Sequence, residues 1–196
     1  MSNKLQFAFL IFISLLFSLY SCNSDVKKSA LKVDNDSIVL NNAFPADSFA
    51  FYENILMKDS LNIPLHMDLA VNYYAENKLD KAIVHLLKVC SIDTKNLDAF
   101  ITLGNVYFDA EQSENAVIYY EKALVLDPTN INVKCDLATS YLNIRNTEKS
   151  LQLLRENIKI APNHAQSHHN LSIVYSQMGK IKEAEAEMKI FNELNK

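Results

Sequence analysis

From residue 63 onward the apolar positions recur with helical spacing, and the pattern restarts every 34 residues without an inserted or deleted position. With residue 63 as position 1 of the first unit, position 7 is Leu69, Leu103, Leu137 and Leu171, and position 11 is Tyr73, Tyr107, Tyr141 and Tyr175. Residues four apart share one helix face, so a stripe repeated in this way is core rather than a cofactor site. Position 8 (Ala70, Gly104, Ala138, Ser172) and position 20 (Ala82, Ala116, Ser150, Ala184) carry only small side chains, as two closely crossing helices require. Position 30 (Ile92, Leu126, Ile160, Leu194) reads as an aliphatic anchor closing each second helix.

The units are 63–96, 97–130, 131–164 and 165–196, each with two helices: 64–76 and 79–91, 97–110 and 113–126, 131–143 and 147–159, 165–178 and 181–194. Pro128 and Pro162 lie between units, and Gly179 is placed to end a first helix. In the last unit three apolar sites turn polar, at Ser176, Glu185 and Asn192, as expected of a unit with no neighbour after it.

The segment 44–62 is expected to hold a helix over 44–60, started at Pro45 with Asp47 and Ser48 as candidate caps. It falls on positions 16 to 32, and Tyr52, Ile55 and Leu56 occupy second-helix core sites. It therefore reads as half a unit capping the first whole one. Residues 22–43 are polar and read as a tether of ~25 Å r.m.s. span. The alternative is that Ile38 and Leu40 pack this segment on the first helix.

Two stretches carry resemblances. Phe100, Leu103, Gly104, Tyr107, Ala116, Tyr120, Ala123 and Pro128, at positions 4, 7, 8, 11, 20, 24, 27 and 32, make 97–130 resemble the tetratricopeptide repeat. The resemblance implies an all-α, right-handed α-solenoid of helix-turn-helix repeats that binds other proteins and is not an enzyme. Near the start, Lys4 precedes an apolar run over 7–17 that is shorter than the ~20 residues of a membrane span. Leu19-Tyr20-Ser21-Cys22 after it resembles a bacterial lipobox. By that resemblance 1–21 is a lipoprotein signal peptide and Cys22 the lipid-attachment residue, which places the chain in the bacterial cell envelope, on the outer membrane facing the periplasm. An uncleaved anchor, or an ordinary signal peptide with an incidental cysteine, fits the same layout.

Charge and candidate chemistry narrow the function classes. The net charge is −4, or −5 once Lys4 is removed, which does not suggest nucleic acid. Cys22, Cys90 and Cys135 do not form a disulfide framework, and two isolated glycines cannot make a phosphate-binding loop. Cys135 and His169, both at position 5, would be the nucleophile and base of a catalytic reading, but no third orienting group accompanies them. His164 and His168, with His169 or Cys135, would be a metal reading that lacks a specific ligand spacing. Neither is adopted, so no catalytic residue, metal or cofactor is expected.

By the tetratricopeptide resemblance the concave surface is lined by first helices through positions 2, 5, 9, 12 and 13. The groove candidates are Met67, Val71, Tyr74, Asp98, Ile101, Asn105, Phe108, Asp109, Thr139, Leu142, Asn143, His169 and Ile173. A well-known subset of the family grips a C-terminal carboxylate with Lys and Arg at positions 2, 5 and 6 and Asn at 6 and 9; here Asn105 matches at position 9 and none of the four positions carries Lys or Arg. Asp68, Asp98, Asp109 and Asp136 would repel an anion, while the apolar members suit the side chains of a helix or extended segment. The expected partner is a protein or peptide, neutral or basic with apolar anchors. The plain alternative is that these residues only pack neighbouring first helices together. A second function class is an assembly factor for an outer-membrane or secretion complex, using convex or edge surfaces.

Overall fold

The computed structural model describes residues 49–196, which lie within one compact unit, Leu40–Lys196. The signal peptide with Cys22, the tether and the caps expected at Pro45, Asp47 and Ser48 fall outside the described residues. Among the described residues there are helices and no strands: α1 Phe49–Lys58, α2 Ile63–Ala75, α3 Leu79–Ile92, α4 Leu97–Asp109, α5 Ser113–Leu126, α6 Ile131–Asn143, α7 Thr147–Ile160, α8 Ala165–Gln177 and α9 Ile181–Leu194. Each first helix (α2, α4, α6, α8) starts 34 residues after the previous one, and so does each second helix (α3, α5, α7, α9). Each first helix packs on its own second helix, and the second helices α3, α5 and α7 pack on the next first helix. This is an all-α helical repeat.

Local chemistry sets these boundaries. Asn62, Asn96 and Asn130 cap the first helices by accepting the backbone N–H three residues on, and His164 does the same for Ser167 through Nδ1. Asp59, Asp93 and Asp127 hold the turn before each cap, accepting from the asparagine amide and from a backbone N–H two residues on. The turn inside each helix pair is a left-handed residue, Asn77 (φ 59°), Glu111 (φ 58°), Arg145 (φ 61°) or Gly179 (φ 72°). The following N–H bonds back to the carbonyl of Tyr73, Tyr107, Tyr141 or Tyr175, which closes the helix end as a Schellman motif does.

The core follows the repeated stripe. Leu69, Leu103, Leu137 and Leu171 are buried with Tyr73, Tyr141 and Tyr175, and Tyr107 is half-buried. The small residue at position 8 faces position 24 of the same hairpin in the second repeat: a Cβ on Gly104 would lie 2.6 Å from two ring carbons of Tyr120. Position 30 is a correction. Leu126, Ile160 and Leu194 are 37%, 60% and 37% exposed, so they do not anchor the second helices. The inter-repeat turn is held by the Asp and Asn bonds instead, which leaves position 30 outside the core.

The tyrosines at position 11 also link one helix pair to the one before it. Tyr73 donates to Glu53 on α1, Tyr141 donates to Glu121 on α5, and Arg155 on α7 donates to Tyr175. In each case the partner stands 20 residues earlier, so α1 offers Glu53 to Tyr73 as α5 offers Glu121 to Tyr141. Burial and the Glu53 carboxylate push the Tyr73 hydroxyl up to about 12. Phe49 stacks on Tyr73 at 4.5 Å and Leu56 is buried, so α1 covers the outer side of α2.

Candidate functional site

The groove candidates belong to four first helices whose neighbours touch: α2 meets α4, and α6 meets α8. Their accessibility falls along the chain. On α2 Val71 is 42% exposed, with Met67 and Tyr74 half-buried. On α4 Ile101 and Phe108 are half-buried and Asp98 and Asp109 exposed. On α6 and α8 the candidates Leu142 and His169 are buried, Thr139 and Ile173 half-buried, and Asn143 exposed.

Several candidates are engaged with other side chains. Tyr74 donates to Asp109 at 2.5 Å, joining α2 to α4. Asn105 is buried and its amide oxygen accepts the Tyr120 hydroxyl at 2.7 Å, which commits this carboxylate-clamp match to the core; Asn170 at position 6 is likewise buried. Thr139 donates to the Cys135 carbonyl and accepts from Asn170, whose amide also reaches the Cys135 sulfur at 3.2 Å. Asn143 donates to Ser113 across to the preceding second helix. The His169 ring lies 4.8 Å from that of Phe191, and burial pulls its pKa down.

Electrostatically the open part is acidic. No hydrogen bond or ion pair reaches the carboxylates of Asp68 and Asp98 among the described residues, and partial burial raises the pKa of Asp68. The one basic side chain on the first helices is Lys134. An open depression at the turn ends of the third and fourth repeats is lined by Leu142, Asn143, Arg145, Thr147 and Gln177. Arg145 there is a cation that position-by-position inspection of the first helices misses, because it sits on the left-handed turn residue just after α6.

The thiol considered as a nucleophile is unsuited to that role: Cys135 is 1% exposed and packed among Ala138, Leu142 and Leu171. Among the described residues no three His, Cys, Asp or Glu side chains are grouped to hold a metal ion. No helix there is long and apolar enough to cross a membrane.

Helix pairs in unbroken register, with α2 against α4 and α6 against α8, define a helical-repeat protein. Family models of the tetratricopeptide repeat match residues 97–130 and 165–190. Solved structures share the fold. A crystal structure of MamA is 22% identical over 74% of this chain and 84% of its own, with a TM-score of 0.69. MamA from Desulfovibrio magneticus RS-1 is 14% identical over 76% and 84%, with a TM-score of 0.70. YrrB, described as a TPR protein with an unusual peptide-binding site, is 20% identical over 76% of each chain, with a TM-score of 0.69. No curated protein sequence matches the chain.

Proposed function

We propose that this chain is a lipid-anchored adaptor of the bacterial cell envelope that binds a neutral or basic protein segment on the first helices of its N-terminal repeats. The observation that carries this reading is the exposure of Val71, 42%, beside the half-buried Met67, Ile101 and Phe108 and the unpaired carboxylates of Asp68 and Asp98. An apolar anchor entering there leaves water while a basic neighbour meets the acids. The peptide-binding site attributed to YrrB lends support by analogy of fold. The anchor rests on the lipobox-like Leu19 to Cys22 and the apolar run before it. Outer-membrane placement follows by analogy with lipoprotein sorting, from Asn23 after the cysteine.

Crosslinking in native membranes followed by mass spectrometry would identify the partner. Ile101→Asp and Phe108→Ala should each reduce its recovery while far-UV circular dichroism stays unchanged. Calorimetric binding of an acidic C-terminal peptide that is lost on amidation of its carboxylate would refute the reading, and the Arg145 depression would then be the place to look. Cys22→Ala should abolish incorporation of a fatty-acid analogue, and persistent label would refute the anchor. A second reading, an assembly factor working through its second helices, is favoured by Val84, Ile118 and Val125, which are 64%, 47% and 80% exposed. Substituting these with no loss of partner, against loss on Ile101→Asp, separates the two.

A further inference from the structure

Position 4 of the first helix meets position 23 of its own second helix in the first, second and fourth repeats, and the two terminal repeats fill these positions differently from the two inner ones. In the inner repeats the residues are Phe100 with Tyr119, whose rings lie 6.4 Å apart, and Lys134 with Leu153. In the terminal repeats they are His66 with His85 and His168 with Glu187. His66, His85 and His168 are all buried.

Counting protons across these contacts gives a definite answer. His66 Nε2 lies 3.3 Å from the Ser60 carbonyl, which can only accept, so that nitrogen carries hydrogen. His66 Nδ1 and His85 Nδ1 are 2.9 Å apart, a contact that needs one hydrogen between them. His85 Nε2 is 3.2 Å from Glu53 Oε1, which already accepts the Tyr73 hydroxyl, so the third contact also needs a hydrogen. Two neutral imidazoles supply two hydrogens for three contacts. At the other end His168 Nε2 faces the Pro162 carbonyl at 2.8 Å and Nδ1 faces the Glu187 carboxylate at 2.6 Å, two acceptors for a ring that is a single donor when neutral.

We propose that the first and last repeats each close around one bound proton, making the two ends of the array, and not its middle, sensitive to pH near neutrality. At the N-terminal end the proton completes the chain Ser60–His66–His85–Glu53, which ties α1 to the first repeat. At the C-terminal end it makes His168 a double donor bridging the turn before α8 to α9.

The sign differs between the ends on the acid side. Above the ordinary imidazole range of about 6.5 the open forms hold one proton fewer than the closed forms, so both ends loosen as pH rises. Below it a fourth proton on the His66–His85 pair would set two N–H groups against each other, so the N-terminal end loosens again. In the proposed closed form His168 already donates from both ring nitrogens, to Pro162 and Glu187, so no such repulsion arises at the C-terminal end. The charged groups around the N-terminal pair are Glu53, Lys88 and Glu76, with Lys78 and Lys81 over the Phe49 and Tyr73 rings; His164 lies near His168. Burial, with the nearby His85 and Lys88, lowers the pKa of His66.

The test is imidazole nitrogen spectroscopy together with hydrogen exchange between pH 5 and 8.5 on the purified chain, with exchange corrected for intrinsic rates. At pH 6.5 the spectra should show three nitrogen-bound protons over His66 and His85 and two on His168. From pH 6.5 to 8.5 the protection of α1 and α9 should fall by up to tenfold per pH unit relative to that of α4 to α7. Below pH 6 protection should fall for α1 and not for α9. The double variant His66→Phe/His85→Tyr, which copies the second repeat, should remove the pH dependence of α1. Neutral His66, His85 and His168 at pH 6.5 in a chain with α1 and α9 protected would overturn the proposal, as would parallel pH profiles for the ends and the middle. Both observations are made on the unsubstituted chain, so the test stands even if the double variant does not fold.

Discussion

Gly104→Ala is a substitution whose sign is set by one neighbouring ring. In an isolated helix interior, alanine is more favourable than glycine by about 0.8 to 1.0 kcal/mol. Here the added Cβ would sit 2.6 Å from Tyr120 Cδ1 and Cε1 and 3.0 Å from Cζ, against the 3.4 Å at which ordinary contact begins. The ring has little freedom to yield, because Tyr120 is 2% exposed and its hydroxyl is held by Asn105. Overpacking of this kind costs roughly 1 to 3 kcal/mol, which exceeds the propensity gain over most of its range. The expected net effect is therefore a loss of up to about 2 kcal/mol, a drop of up to ~8 °C in Tm for a domain of this size. The other repeats supply the control: Ala70 stands with Leu86, Ala138 with Leu154 and Ser172 with Met188 at the corresponding positions. In a Tyr120→Leu background, Gly104→Ala should reverse sign and raise stability by about 0.8 to 1.0 kcal/mol. Urea unfolding followed by circular dichroism, on the four members of the cycle, reads both values. A stabilising Gly104→Ala in the unsubstituted protein, or the same loss in both backgrounds, would refute the steric account.

Three further outcomes are expected. Glu111→Gly, at φ 58°, should stabilise by about 0.5 to 1 kcal/mol by relieving left-handed strain, while Gly179→Ala should destabilise by a similar amount; thermal melts compare them. Tyr141→Phe should lose about 0.5 to 1.5 kcal/mol with the Glu121 bond, whereas Tyr107→Phe, whose neighbour 20 residues back is Leu87, should fall within ~0.5 kcal/mol of the unsubstituted chain by denaturant midpoint. Asp127 is held below the ordinary carboxylate range by the Thr129 hydroxyl and N–H, so its contribution is present above its unfolded pKa and lost as pH falls through the lower folded value. Asp127→Ala should thus be the less stable protein above about pH 4 and converge with the unsubstituted one in more acid solution, as melts from pH 6 to 2 will show.

What was legible in the sequence is what repetition enforces. Leu69 and Tyr73 recur as Leu137 and Tyr141 because every hairpin must fill the same space, so position alone marks them as core. Position 30 recurs as well, and there recurrence misleads: Ile160 is 60% exposed, since an aliphatic residue at a helix end satisfies the pattern without being enclosed. The links between helix pairs were hidden because only one partner repeats. Tyr73, Tyr141 and Tyr175 share a position, but their partners Glu53, Glu121 and Arg155 differ in charge and so leave no periodic mark.

The groove candidates were the least legible, for a physical reason. A sequence register assigns each residue a direction on its own helix, but accessibility depends on how closely the next first helix approaches. Asn105 and Val71 occupy the same position 9, yet one is buried at 8% with its oxygen bonded to Tyr120 and the other is 42% exposed. The difference traces to position 24 of the same hairpin, where Tyr120 has a hydroxyl to offer and Leu86 has none. The glycine that admits the Tyr120 ring is therefore also what turns Asn105 inward. In the Tyr120→Leu variant the Asn105 amide should lose its buried partner and become available to solvent or to a bound peptide. Tighter binding of a polar peptide by that variant would show that the tyrosine withholds the asparagine from the groove, and unchanged binding would show that Asn105 does not reach it.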